Sequence, residues 1–82
     1  MLTEKIKEPV KVLAFFNEGS IRLISFEWRN QKFERFEVVS SWVCRIANSR
    51  AIFFSVSLDG DFYELCFRMR TMSWYLVRII SP

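Results

Sequence analysis

The sequence predicts an all-β fold of about six short antiparallel strands, arranged as a meander that curls into a small barrel or a strongly twisted sheet. Three observations carry this. Bulky side chains alternate at period two, most clearly in Ile52, Phe54, Val56 and Leu58 and again in Tyr63, Leu65 and Phe67, as expected of strands with one buried face. Asp59-Gly60 between these runs is the pair most favoured in a type I′ hairpin turn. Helix-period patterning is absent outside residues 40–47, and every connection is too short for a parallel crossover, which excludes a βαβ architecture.

The elements follow in order. Residues 1–8 form a polar tail of alternating charges, frayed or at most an edge element, and the single β domain spans residues 9–82. Pro9 discourages helix in the residue before it and opens an extended segment. Val10 to Phe16 is a short apolar run closed by Asn17, Glu18 and Gly19, and Ser20 to Arg29 returns as its hairpin partner. In that second run Ile24, Phe26 and Trp28 alternate with Ser25 and Glu27, giving one buried and one wet face.

Asn30-Gln31 connects to Lys32–Val39, where Phe33, Phe36 and Val38 do not keep one period, so a bulge near Arg35 is expected. Between Ser40 and Arg50 the pattern is weakest, and a strand or short irregular crossover is favoured over a helical turn capped by Ser40 or Ser41. After the Asp59-Gly60 hairpin, Arg70 and Thr71 turn the chain into Met72–Ile80. There Trp74 and Leu76 alternate with Tyr75, Val77 and Ile79, so both faces are apolar.

With 82 residues the chain suits one core rather than two. Fourteen aromatics, nine of them Phe, fill such a core without cross-links. Cys44 and Cys66 read as small free core thiols, which points to a reducing compartment. Residues 1–8 lack the apolar stretch of a signal peptide, and no run approaches a membrane span. A cytoplasmic location is the expectation.

Catalytic templates fail early. The chain has no His, and so lacks the usual general base and the commonest metal ligand. The two Cys are not spaced as zinc ligands, and Gly19 and Gly60 are isolated, so no loop cradles phosphate. Asp59, Asp61 and Glu64 cluster at a hairpin whose turn geometry explains them. The expectation is a non-enzyme without cofactor or metal.

Binding is the remaining class. The net charge is +3 and eight of the twelve basic residues are Arg, the cation suited to phosphate contact and stacking. Candidate contacts for nucleic acid or a protein partner are Arg22, Arg29, Arg68, Arg70, Arg78, Trp42, Phe53 and Tyr75. In the nucleic-acid case Arg pairs phosphates while aromatics stack bases. Against it, nine acidic residues are interleaved with the basic ones, and cross-strand ion pairs would absorb much of that charge. Trp28 and Trp74 sit in alternating patterns that core packing explains, whereas Trp42 has no such explanation. Leu13, Phe15, Phe53, Val77 and Ile79 fall opposite the better core faces, which argues for a protein interface, most simply self-association. The leading expectation is an interaction or adaptor module that self-associates, with a nucleic-acid-binding small barrel as the alternative.

Phe26, Trp28 and Arg29, then Phe33, Val38 and Trp42, then Tyr63, Glu64, Leu65 and Phe67, and finally Trp74 and Leu76 form a pattern. It resembles a family of short bacterial all-β proteins of unknown function, some encoded beside genes for Y-family polymerase-like proteins of mutagenic repair. The likeness runs from about Val10 to Ile79. Two departures stand out: Arg68 where an acidic residue is expected, and few aromatics in residues 40–50. The resemblance implies an accessory or adaptor role near DNA and carries over no functional residue.

Overall fold

The computed structural model describes all 82 residues. Eight antiparallel strands are present: β1 (Leu2–Pro9), β2 (Lys11–Asn17), β3 (Ser20–Trp28), β4 (Gln31–Phe33), β5 (Glu37–Ile46), β6 (Ser49–Leu58), β7 (Asp61–Arg68) and β8 (Ser73–Ser81). They build a five-stranded sheet in the order β1-β8-β7-β6-β5 and a three-stranded sheet in the order β2-β3-β4. No helix is long and apolar enough to cross a membrane.

The expected barrel does not form, because closure would require β4 to pair with β5 and these strands lie in different sheets. The chain leaves the larger sheet at Val10, whose N–H donates to the Trp74 carbonyl at 3.1 Å, and returns through residues 34–36. The count rises from six to eight for two reasons. Residues 1–8, expected as a frayed tail or an edge element, supply most of β1, which pairs with β8 from Leu2↔Ser81 to Pro9↔Tyr75 and forms the sheet edge. Residues 32–39, expected as one strand, divide between β4 and the start of β5, and residues 40–46 continue β5 as strand, the favoured alternative for that stretch.

Nor is Lys32–Val39 one strand bulged at Arg35. Phe33 and Phe36 both pack on Phe26, with ring centroids at 4.9 and 5.4 Å. An odd spacing puts two residues of a regular strand on opposite faces, so the chain abandons the ladder after Phe33 and uses Phe36 in the crossing.

Four two-residue turns set the hairpins: Glu18-Gly19, Arg29-Asn30, Ala47-Asn48 and Asp59-Gly60, with positive φ at both positions of each. That is the type I′ conformation whose twist matches the flanking strands. Its second position holds Gly or Asn every time, the residues that tolerate left-handed backbone best. The second turn falls one residue earlier than Asn30-Gln31 would place it.

Bulges alter the alternation in several strands. In β3, Leu13 pairs with Ser25 and Ala14 with Leu23, so Ile24 is the extra residue. It turns outward and is 38% exposed, while Leu23 and Phe26 are buried. In β8, Leu65 pairs with Leu76 and Glu64 with Arg78, leaving Val77 unpaired. Ile79 therefore rejoins the Leu76 side and packs on the core, where strict alternation had put it outside. A third shift, between Val38 and Ser40, bends the start of β5.

The core lies between the sheets. Leu23 and Phe26 from β3 meet Phe54, Val56 and Leu58 from β6, Leu65 and Phe67 from β7, and Leu76 from β8. Ile52, Phe54, Val56 and Leu58 share this inward face, as do Tyr63, Leu65 and Phe67. Trp28 and Trp74 border the core, as their strand positions implied.

Candidate functional site

The outer face of the five-stranded sheet, turned away from the core, gathers five of the eight candidate residues, Trp42, Phe53, Arg68, Tyr75 and Arg78, with Arg70 in the adjoining turn. Trp42, Phe53, Cys66 and Tyr75 are register partners across β5, β6, β7 and β8, so they form one row perpendicular to the strands. At about 4.8 Å per strand the row spans roughly 15 Å. Trp42 and Phe53 stack with centroids at 5.5 Å and planes within 7° of parallel.

The Arg68 guanidinium lies over the Tyr75 ring at 5.2 Å. This contact favours the cation through the ring quadrupole and fixes its direction. Arg70 follows in the β7–β8 turn, where it and Arg68 border a common depression with Ile46. Across the sheet, Arg78 stands opposite Glu64.

Phe53, Tyr75, Arg68 and Arg78 line one open cleft of about 350 Å³, together with Lys7, Ile46, Cys66 and Val77. Lys7 and Val77 reach it through irregularities in adjacent strands. Lys7 lies in the register shift between Lys5 and Glu8 of β1 and has φ of 54°, and Val77 is the bulged residue of β8. Bulges commonly re-aim side chains toward a site.

The electrostatics of this face are one-sided. Residues 38–58 and 65–82 contain Arg45, Arg50, Arg68, Arg70 and Arg78 and no Asp or Glu. The carboxylate near the cleft is that of Glu64, 3.5 Å from Arg78 Nε. That Nε is buried and makes no hydrogen bond, although buried donors are nearly always satisfied. Ion pairing on this surface is limited to Glu64–Arg78, since the other pairs formed, Glu8–Arg29 and Lys32–Glu34, lie elsewhere.

Arg29 and Arg22 lie apart from the group. Arg29 Nη2 and Nε donate to Glu8 at 2.7 and 3.1 Å, and Trp28 Nε1 donates to Glu8 Oε1 at 2.9 Å. With its guanidinium 4.4 Å from the Trp28 ring, Arg29 ties β1 to the β3–β4 turn and is committed to structure. Arg22 covers Phe15 on the three-stranded sheet at 5.5 Å.

Hydrogen bonds from Arg29 and Trp28 hold the Glu8 carboxyl below the usual glutamate range. A lowered native value contributes stability above the ordinary value, and that contribution disappears as pH falls through the native one. Glu8→Gln is expected to melt below the wild type at neutral pH. The gap should shrink as thermal melts are taken from about pH 7 to about pH 3, across the ordinary value near 4.3. A constant gap would show that packing, not charge, matters at this position.

Cys44 and Cys66 are free thiols. Cys66 is 2% exposed, and burial pushes its thiol up despite the opposing influence of Arg68. Since the thiolate is the reactive form, a maleimide probe is expected to modify half-buried Cys44 first and Cys66 only after denaturation. Equal labelling in the native protein would contradict the packing at the centre of the row. No three His, Cys, Asp or Glu side chains come together at a metal-like spacing.

Sequence reasoning missed Lys7, assigned to a tail, and also Ile46 and Cys66. One signal was available: the long acid-free segments, which place Arg without a carboxylate partner on β6 and the ends of β5 and β7. Comparison with protein-family models, with curated proteins and with solved structures finds no match to this chain.

Proposed function

We propose that this chain is a small non-catalytic binding module that holds single-stranded nucleic acid across the outer face of its five-stranded sheet. One observation carries the reading: an aromatic row of Trp42, Phe53 and Tyr75 is flanked by Lys7, Arg68, Arg70 and Arg78 and by a single nearby carboxylate. Aromatic faces stack bases of any sequence, and guanidinium groups track the phosphates. The accessory role near DNA implied by the family resemblance is compatible with this proposal.

The test is fluorescence anisotropy with a labelled oligonucleotide. Binding at about 50 mM salt that weakens steeply by about 200 mM is the expected result, because phosphate contacts release counterions. A duplex of the same length should bind less well, since its bases are not free to stack. Absence of single-strand binding at the lower salt removes the proposal. A second reading, an adaptor for a protein partner, draws on Leu13, Phe15 and Ile24, which are exposed together on the outside of the β2–β3 hairpin.

A further inference from the structure

The two edges of the five-stranded sheet are built differently. At one edge, β1 carries Glu4, Lys5, Lys7, Glu8 and Pro9 and is interrupted by a register shift. Charges, proline and bulges are the devices that stop a free edge from recruiting another strand.

The opposite edge, β5, has ten residues; its register shift is confined to its start, between Val38 and Ser40, and the run from Val38 to Cys44 has no charge. Val38, Val39, Trp42 and Val43 are all exposed, Val43 at 62%. Trp42 lies with Phe53 on the outer face, and Val43, paired with Ile52, lies on the inner one. A strand added here would cover both faces and satisfy the open row of backbone groups.

Charge identifies the occupant. The only charged residues of β5 are Glu37 at its start and Arg45 near its end. Arg45 faces Arg50 directly across β6, a like-charge pair that is unfavourable in a sheet. Antiparallel pairing of β5 with another β5 brings the Glu37 end of each copy beside the Arg45 end of the other, relieving both clusters.

We infer that β5 is a self-complementary edge that joins two copies of this chain through an isologous antiparallel pair. The two-fold axis of such a pair is perpendicular to the sheet, so both outer faces lie on the same side of one ten-stranded sheet. Each Trp42 then sits close to the axis, and the two aromatic rows meet end to end. That the joined rows form one longer nucleic-acid track rests on the function proposed above; the pairing itself rests on the edge alone.

Sedimentation equilibrium without nucleic acid tests the pairing. The wild-type mass is expected to rise from the 9.9 kDa of one chain to twice that value with concentration, and to stop there. Val43→Lys restores an edge charge at an exposed position and should weaken dimerisation at least about tenfold. Leu13→Lys, on the other sheet, should leave it unchanged.

Arg45→Glu gives Arg50 an opposite charge within the monomer but sets carboxylates against each other in the dimer. It should weaken association by about fivefold, and adding Glu37→Arg should restore it. This charge swap decides the matter even if the Val43 variant fails to fold. A wild type that stays monomeric, sensitivity to Leu13→Lys in place of Val43→Lys, or no rescue by the swap would each overturn the inference. Because mass is read without oligonucleotide, failure of nucleic-acid binding leaves this result standing.

Discussion

Phe26→Ala is expected to remove a large share of the stability of this domain. Phe26 is 1% exposed, and its ring meets Phe33 at 4.9 Å, Phe36 at 5.4 Å and Tyr63 at 6.0 Å. These neighbours belong to β4, to the crossing segment and to the opposite sheet, so one side chain fastens three parts of the chain. Truncating a buried Phe costs about 3–5 kcal/mol, against roughly 4–12 kcal/mol of total stability for a domain of this size. Urea titration measures the loss. Ile24→Ala, two residues away but directed outward by the β3 bulge, should change stability by less than about 1 kcal/mol. Equal effects at the two positions would mean that the bulge is misplaced and that β3 follows strict alternation.

The second large effect concerns binding. Phe53→Ala or Tyr75→Ala should each weaken single-strand affinity by about 1–3 kcal/mol, the usual worth of one base stacked on an aromatic ring. Neither substitution should alter the salt dependence. Arg68→Ala should do so, lowering the slope of log affinity against log salt by about 0.7 for the loss of one phosphate contact. Arg68 lies over Tyr75 at 5.2 Å, so the Arg68 and Tyr75 substitutions should be non-additive, as expected of residues in contact. Arg22→Ala, on the other sheet, is the matched control. An unchanged slope for Arg68→Ala, or an equal loss from Arg22→Ala, would move the binding surface away from the β6–β8 face.

What could be read in advance follows from the range of each interaction. Asp59-Gly60 and the Asn17-Glu18-Gly19 cluster announced hairpins because backbone at positive φ selects residues locally. Ile52–Leu58 and Tyr63–Phe67 showed their inward faces because regular strands keep period two. Ile24 and Ile79 were misassigned because one extra residue in a bulge inverts the alternation beyond it. Nothing near either residue marks the insertion.

The binding face was harder to see. Arg68, Arg78, Phe53 and Tyr75 were recognised by type, yet so were Arg22 and Arg29, which the fold sends elsewhere. Lys7 joins the cleft only because β1 pairs with β8, from Leu2↔Ser81 to Pro9↔Tyr75. That pairing joins the two ends of the chain and leaves no local trace.

Alternation, turn residues and the lack of helix periodicity were enough to determine an antiparallel β domain with an aromatic core, since each depends on neighbours along the chain. Tertiary structure alone decided that eight strands divide into two open sheets, that one edge is rich in charge and the other poor in it, and that five candidate residues share a face. These depend on register between strands far apart in sequence. There, hydrogen bonding and burial of the whole layer choose among pairings that local preference leaves equal.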